Sequence, residues 1–262
     1  MRAIAHLFQF ERKMRIFPLP TFFYGLGEGE ITQRSERFSM VRTIDPAILY
    51  FGTPVVLIST LNEDGSANLA PMSSAWWLGR RCMLGLGARS KTPQNLIRTG
   101  ECVLNLPSDN LAEMVNRLAL TTGSDPVPQH KVQKGYRFER DRFALSGFTA
   151  VDSETVAVPR ALECPVQLEA KLERVHPLEE EDEQRRGSLI GLEVRVTQVH
   201  IDDDIQMDGV QNRIDPDKWR PLIMSFQKFY GLGPQLHEST LATIPEEMYR
   251  STKRAVPELV SR

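Results

Sequence analysis

The amino-acid sequence predicts a mainly β fold, in which antiparallel strands close into a barrel and two or three helices are inserted. Three observations support this prediction. About six short apolar segments have the pattern of strands, turn residues separate several of them, and strands and helices do not alternate in the order that builds a parallel sheet. The 262 residues, 41% of them hydrophobic and 25% charged, can bury a substantial core.

The first predicted strands lie between residues 54 and 87. PVVLIST at 54–60 is apolar, and the following turn contains Gly65. ANLAPMSSAWWLG at 67–79 and RCMLGLG at 81–87 come next. Together the three segments predict a β-meander, in which each strand pairs with the one before it.

A short helix over about residues 93–99 is predicted directly after the third strand. Thr92 is a suitable N-cap, Pro93 suits the first helical position, and Gly100 suits the end of a helix. The first turn of a helix carries unpaired N–H groups and partial positive charge. We therefore expect an anion the size of phosphate to bind at this point.

Basic and hydroxyl side chains precede that helix. Arg89, Ser90, Lys91 and Thr92 add donors around its start. The alternative is that the hydroxyls only cap the helix and the basic side chains are only solvated, as surface Lys and Arg usually are. These residues alone do not decide between the two interpretations.

The middle of the chain predicts a strand, a helix and a long excursion. ECVLNL at 101–106 is the fourth strand, and DNLAEMVNRLAL at 109–120 has helical spacing behind Asp109 as a cap. Residues 121–160 are rich in Pro, Gly and charge and are predicted to be too broken for regular structure. An excursion of this length is able to cover a site.

Two later segments, 164–178 and 188–201, alternate with the period of a strand and predict a hairpin. In the second segment the alternation changes phase near Thr197. The connector EEEDEQRRG at 179–187 is predicted to be a solvated loop, and the residues from 204 onwards are irregular. The first segment places four apolar residues on one face: Val166, Leu168, Ala170 and Leu172.

Composition excludes several classes of function. A formal net charge of −2 and a pI near 6.2 give no general attraction for nucleic acid or for an anionic membrane. No apolar stretch approaches the roughly 20 residues of a membrane span, and the N-terminus lacks the cleavage site of a secretory signal. We therefore expect a cytoplasmic protein that binds neither nucleic acid nor membrane.

The side chains that usually carry catalysis or bind metals are sparse. Cys82, Cys102 and Cys164 lie in apolar segments without metal-ligand spacing and are predicted to be reduced core residues. The five histidines lie far apart and lack carboxylates at informative spacing, so we expect structural or exposed roles for them. We predict no metal site and no catalytic side chain.

The chain is divided into three predicted regions. Residues 1–40 form an N-terminal extension that need not belong to the compact domain, because they mix aromatic and charged residues without a sustained period. The domain itself is predicted over 41–240, and 241–262 form a C-terminal tail.

Three ordered segments resemble the flavin reductase-like family, whose members have a flavoredoxin-like, FMN-binding split barrel. They are VVLISTLNEDGSANLAPMSSAWW, GARSKTPQNLIRTGECVLNLPS and PLIMSFQKFYGLG, within about residues 44–235. The resemblance implies a six-stranded antiparallel Greek-key split barrel with inserted helices. It also implies a homodimer with FMN near the subunit interface, and reduction of flavin by NADH or NADPH.

The resemblance also implies roles for particular residues. Ser90, Lys91 and Thr92 would take the FMN phosphate, Asn95 would bind the phosphate or the ribityl chain, and Arg89 would add positive charge. Tyr230, with Phe229 and Gly231, would approach the flavin of the partner subunit. The isoalloxazine ring would be lined by residues of the first of these segments, namely Asn68, Ala70, Pro71, Met72, Ser73 and Ser74.

Two features of this chain depart from the family pattern. Many members have an acidic residue between the Lys and the Thr and an aromatic residue after the Pro, whereas here Thr92 follows Lys91 directly and Met72 follows Pro71. The phosphate loop is therefore expected to be one residue tighter, and Met72 would pack on the flavin in place of a ring. Trp76 is equally compatible with the core and with the site.

Three functions are compatible with the sequence. The first is an NAD(P)H-dependent flavin reductase that transfers hydride to flavin N5, with the cofactor supplying the reactivity. The second is an FMN-containing electron carrier or an oxidoreductase that acts on another small substrate. The third, and least favoured, is a flavin-free binding module. The sequence leaves open the choice between NADH and NADPH, the electron acceptor, and whether FMN is cofactor or substrate.

Overall fold

A computed structural model of the protein describes residues 41–250. The predicted extension at 1–40 and the end of the predicted tail, 251–262, lie outside the described residues. The compact unit described here begins at Pro46. In chain order its elements are β1 (Phe51–Pro54), β2 (Val56–Leu61), β3 (Ala67–Met72), β4 (Ala75–Leu78), β5 (Arg81–Gly87), α1 (Lys91–Thr99), β6 (Glu101–Leu106), α2 (Ala112–Arg117), β7 (Thr121–Thr122), α3 (Gln129–Val132), β8 (Arg137–Phe138), α4 (Arg142–Ser146), β9 (Ala150–Val151), β10 (Arg160–Ala161), β11 (Val166–Leu178), β12 (Leu189–Ile201), β13 (Ile223–Ser225) and β14 (Lys228–Tyr230).

Seven of the strands form one antiparallel sheet in the order β3-β2-β6-β11-β12-β5-β4. Its edge strands, β3 and β4, are joined by Ser73 and Ser74 alone. A flat sheet of this width would hold its edges roughly 29 Å apart. The three Cα steps from Met72 to Ala75 span at most about 11 Å, so the sheet must curl until its edges approach each other. The predicted split-barrel fold class is confirmed.

The number of the first strands and their places in the sheet differ from the prediction. The predicted single strand over 67–79 is broken at Ser73 and Ser74, which raises the count in the sheet from six to seven. β3 pairs with β2, and β4 pairs with β5 at the opposite edge. Both pairings of the predicted β-meander are therefore observed, but its middle strand is not continuous. Alternation of apolar residues indicates which face of a strand is buried, but it does not indicate which strand lies beside it.

The predicted hairpin is confirmed as β11 and β12, which pair from Val166 opposite Ile201 to Leu178 opposite Leu189. Glu169 lies opposite Gln198 and the next residue of β11 lies opposite Val196, so Thr197 is the extra residue of a β-bulge. The bulge explains the change of phase in the sequence. It keeps apolar side chains of both halves of β12 on the inner face.

The barrel interior is filled by aliphatic side chains from all seven strands and from α1. A second apolar cluster packs on the outer side of β2 and β3 and includes Val115 of α2 and Phe143 of α4. Cys82, Cys102 and Cys164 are buried and free, as predicted. None of the helices within residues 41–250 combines the length and apolar character that a membrane span requires.

α1 begins two residues earlier than predicted. Ser90 is the N-cap, with φ −83° and ψ 154°, and Gly100 ends the helix with φ 74°, in the left-handed region that favours glycine. The prediction of Thr92 as N-cap is wrong because its side chain turns into the protein, where the hydroxyl accepts a hydrogen bond from Asn68 Nδ2 at 3.2 Å. Pro93 is tolerated inside the first turn, where an N–H would have no partner within the helix.

Three other predicted segments are more ordered or shorter than expected. The excursion from 121 to 160 contains the short elements β7 to β10, α3 and α4. The predicted helix over 109–120 is a 3₁₀ turn, Asp109–Leu111, followed by α2. In the region predicted to be irregular, β13 and β14 pair and form a three-stranded sheet with β1. Further 3₁₀ turns cover Asp203–Ile205, Thr240–Thr243 and Glu246–Tyr249.

Candidate functional site

A cavity of about 710 Å³ lies beside the link between β3 and β4. The start of α1, the beginning of the excursion and the β13–β14 hairpin contribute to its wall. A cavity of this volume falls within the range of small-molecule and cofactor sites. Eight of the twelve predicted site residues line it, from two segments that are separate in sequence: Ala70, Pro71, Met72, Ser73, Ser74, Ser90, Lys91 and Thr92.

Four predicted site residues lie outside the lining. Arg89 is exposed to solvent, and Tyr230 is exposed on β14 while its neighbour Phe229 lines the cavity. Successive side chains of a strand point to opposite faces, so only one of this pair can face the cavity. Asn68 and Asn95 are buried behind the cavity wall. These four side chains do not line the cavity of the single chain described here, and their contact with a flavin stays a prediction.

The first turn of α1 presents unpaired donors to the cavity. The amide of Ser90 donates to the Gly87 carbonyl at 2.9 Å, and that of Gln94 donates to the Ser90 carbonyl at 3.3 Å. Between them, the amides of Lys91 and Thr92 have no acceptor among residues 41–250. Unpaired amides at the positive end of a helix favour an anion. The sequence correctly placed this group of donors, although it misplaced the cap.

A buried polar network holds α1 in position. Asn68, which is 1% exposed, donates through Nδ2 to the hydroxyls of Thr60 and Thr92, both at 3.2 Å. Asn95 Nδ2 donates to Thr60 Oγ1 at 3.2 Å and to Asn62 Oδ1 at 2.9 Å. Because both asparagines bond to groups of β2 and the turn after it, they fix the start of α1 against the sheet rather than reaching into the cavity.

Lys91 is shared between the cavity and the surface. Its ammonium lies 2.6 Å from Glu63 Oε2, and this contact holds the pKa of the carboxyl below its usual value. The Glu63 side chain is 62% exposed, so the pair is weakly held and contributes little to stability. Two of the three donors of the ammonium are left for a ligand.

The excursion contributes basic residues that the sequence analysis did not select. Lys131, Lys134 and Arg142 line the cavity together with Tyr136. Arg142 is only 4% exposed, and burial lowers its pKa to about 10. Lys and Arg in a polar loop are usually solvated, and nothing in the sequence indicates that this arginine is buried.

A histidine and a carboxylate pair away from the cavity was also missed. His200 Nε2 lies 2.8 Å from the Glu169 carboxylate, which is fully buried. The pairing depends on residues of β11 and β12 that the hairpin register brings together. Glu169 and His200 are 31 positions apart in the sequence, so their spacing does not indicate that they form a pair.

The sequence matches the family model described as a flavin reductase-like domain over residues 48–233. The chain belongs to this family. The flavin reductase-like protein described here is 38% identical over 204 residues to the protein YdfE of Bacillus subtilis (strain 168), a match that covers 78% of this chain and 94% of the relative. The resemblance identified from the three sequence segments is therefore confirmed.

Solved structures show the same fold. Flavoredoxin of Desulfovibrio vulgaris (Miyazaki F) superposes with a TM-score of 0.62 at 20% identity, over 78% of this chain and 100% of that one. Nitrilotriacetate monooxygenase component B from Bacillus cereus gives 0.60 at 20% identity, over 76% and 100% of the two chains. At this level of identity the likeness establishes the fold of the family and leaves the ligand to be argued from the site.

Proposed function

We propose that this flavin reductase-like protein binds FMN in the cavity and catalyses reduction of flavin by NADH or NADPH. The observation that carries the proposal is that the unpaired amides of Lys91 and Thr92 open into the same cavity as the Met72–Ser74 end of the barrel. One end of the cavity suits a phosphate, and the other suits a polar-edged ring. The proteins named above, which include a flavoredoxin, are compatible with this assignment.

The residues present fit such a ligand. The start of α1 and Lys91 would hold the phosphate. Ala70, Pro71 and Met72 would pack against the ring, since a thioether makes favourable contacts with aromatic rings. Bound FMN supplies the hydride chemistry, so the protein needs no nucleophile of its own. Its part is to orient the ring and to offer hydrogen-bond donors where negative charge develops.

The Lys91→Ala, Thr92→Ala double variant is expected to bind FMN about tenfold to a hundredfold more weakly than the wild type. It loses the charge-assisted contact of the Lys91 ammonium, and such contacts contribute about 1.5–3 kcal/mol. It also loses the Thr92 hydroxyl that holds Asn68 at the start of α1. Titration of the protein with FMN, followed by flavin fluorescence, measures the change. Lys228→Ala removes an exposed lysine outside the cavity lining and serves as the control. A colourless wild-type protein that also fails to bind added FMN would contradict the proposal.

Glu63→Gln is expected to strengthen FMN binding by up to about fivefold. The substitution releases the Lys91 ammonium from its 2.6 Å contact and removes a negative charge beside the phosphate end. Partly exposed pairs contribute about 0.2–1 kcal/mol, which sets the size of the effect. Glu113→Gln, at an exposed carboxylate of α2, is the matched control. Weaker binding by Glu63→Gln would show that the ion pair positions Lys91 rather than competing with the ligand.

Stopped-flow reduction distinguishes the reductase from the alternatives. Bleaching of the bound flavin by NADH or by NADPH supports a reductase and identifies the donor. Flavin that stays bound and is reduced only by another donor supports the electron carrier.

We also propose a homodimer, because Phe51, Trp76 and Tyr230 are aromatic side chains exposed to solvent. Trp76 is 58% exposed, so it is not the core residue that the sequence allowed.

A further inference from the structure

We propose that Arg142, with Lys131 beside it, makes the site specific for a ligand that carries a doubly charged phosphate monoester. The inference depends on the proposed function in one respect only, which is that the ligand is FMN. Both residues belong to the excursion and lie outside the segments that carry the family resemblance. They line the same cavity as the start of α1.

Arg142 and Lys131 are cations without an acidic partner. Within residues 41–250, neither forms an ion pair with a carboxylate. Asp141, the carboxylate adjacent to Arg142 in the chain, accepts a hydrogen bond from the amide of Ala144 at 2.9 Å. Glu139 accepts hydrogen bonds from Arg137 at 3.0 Å and from the amide of Asp141 at 3.3 Å. A buried charge without a partner is strongly unfavourable. The site is therefore complete only when an anion enters it.

The hydrogen-bonding groups of Arg142 are also incompletely used. Its two terminal nitrogens make long contacts, both at 3.5 Å, with Asn68 Oδ1 and the Thr121 carbonyl. Its Nε is buried without a partner. A guanidinium has five donors arranged to bind phosphate oxygens in pairs, so the unused donors indicate an oxyanion. Lys131 donates to the Thr122 hydroxyl at 3.2 Å and retains further donors.

Arg142 lies at the same end of the cavity as the first turn of α1. Asn68 connects them, since its Nδ2 donates to the Thr92 hydroxyl while its Oδ1 accepts from Arg142. Only the Asn68 side chain thus lies between the Arg142 guanidinium and Thr92, whose backbone amide is unpaired. The helix start and the two cations therefore act on one bound group.

The charge of the site favours a monoester over other phosphates. A phosphate monoester carries about −1.5 to −2 charges at pH 7, whereas each bridging phosphate of a dinucleotide carries about −1. Two uncompensated cations and a helix start match the higher charge best. The two sources of such a group in this chemistry are the terminal phosphate of FMN and the 2′-phosphate of NADPH.

The test compares full-length Arg142→Met, Arg142→Lys and Lys131→Gln with the wild type. Dissociation constants are measured for FMN and for riboflavin, which lacks the phosphate, and KM is measured for NADPH and NADH. Arg142→Met is expected to weaken FMN binding about tenfold to a hundredfold and to leave riboflavin binding within twofold. Arg142→Lys should recover part of the loss. Arg140→Met, which removes a 73% exposed arginine outside the cavity lining, is the control.

Other outcomes are decisive as well. A loss confined to NADPH assigns the same pair of residues to the 2′-phosphate and supports the phosphate monoester as the recognised group. Equal weakening of FMN and riboflavin, or no change for any phosphorylated ligand, overturns the inference. If Arg142→Met does not fold, Lys131→Gln provides the same comparison.

A probe without flavin separates this inference from the proposed function. If the wild type binds neither flavin, the proposed function fails while the anion site is still tested with inorganic phosphate. Phosphate should raise the unfolding temperature of the wild type more than chloride at equal ionic strength, and this difference should vanish in Arg142→Met or Lys131→Gln. Equal effects of the two salts on the wild type would overturn the inference.

Discussion

Gly123→Ala is expected to weaken FMN binding by about tenfold to a hundredfold and to lower the free energy of unfolding by about 2 kcal/mol. A Cβ at this position would lie 2.5 Å from Asn68 Oδ1 and 3.3 Å from Lys91 Cγ. Asn68 cannot move aside at low cost, because it is buried and bonded to Thr60, Thr92 and Arg142. The added methyl group therefore disturbs the start of α1 and the Arg142 contact together.

A second glycine in an open position provides the control. A Cβ at Gly233 would meet no atom within 4 Å, and the backbone there is not in the left-handed region. Gly233→Ala should therefore change neither FMN affinity nor stability, as measured by flavin titration and urea unfolding. Unchanged FMN affinity in Gly123→Ala would show that the Asn68 network does not support the ligand.

Glu169→Gln is expected to lower the free energy of unfolding by about 3 kcal/mol at pH 7. Burial disfavours the ionised carboxylate. Hydrogen bonds from the Thr155 hydroxyl, the amides of Glu154 and Thr155, and His200 outweigh that effect and lower the pKa to about 2. The substitution removes the charge that these donors stabilise. It also places the NH2 group of the Gln amide, itself a donor, against donors that bonded to the carboxylate.

The direction of the pKa shift sets the pH dependence. Glu169 has a lower pKa in the folded protein than its ordinary value of 4.5, so its stabilisation is fully present above about pH 4.5 and is lost as the pH falls towards 2. The difference between the wild type and Glu169→Gln should therefore shrink between pH 4.5 and 2. Urea unfolding at pH 7 and pH 3 measures it. Glu180→Gln, in the exposed hairpin loop, is the control, and a difference that is independent of pH would refute the assignment.

Local patterns in the sequence predicted the features that depend on local chemistry. The hairpin β11–β12, the end of α1 at Gly100 and the burial of the cysteines follow from alternation, from the conformational freedom of glycine and from hydrophobicity. The donors at Ser90, Lys91 and Thr92 also follow from neighbours in the chain. Each of these features is determined by residues that are close to it in the sequence.

The features that were missed depend on contacts between distant segments. The break at Ser73 and Ser74 exists because the two halves of an apolar segment join opposite edges of one sheet. Arg142 reaches the cavity because the excursion folds back over β3, and Glu169 meets His200 because of the hairpin register. A propensity scale assigns each of these residues by its type, whereas its burial and its partners are set by tertiary structure.

The two-residue bridge at Ser73 and Ser74 has a consequence for engineering the chain. It joins the two edge strands of the barrel directly, and both serines line the cavity, so an insertion there is expected to change the shape of the cavity. The tip at 179–187 is a solvated turn at the end of a long ribbon and is the better place for a fused tag or a fluorescent label. A reporter placed there is attached outside the lining of the cavity.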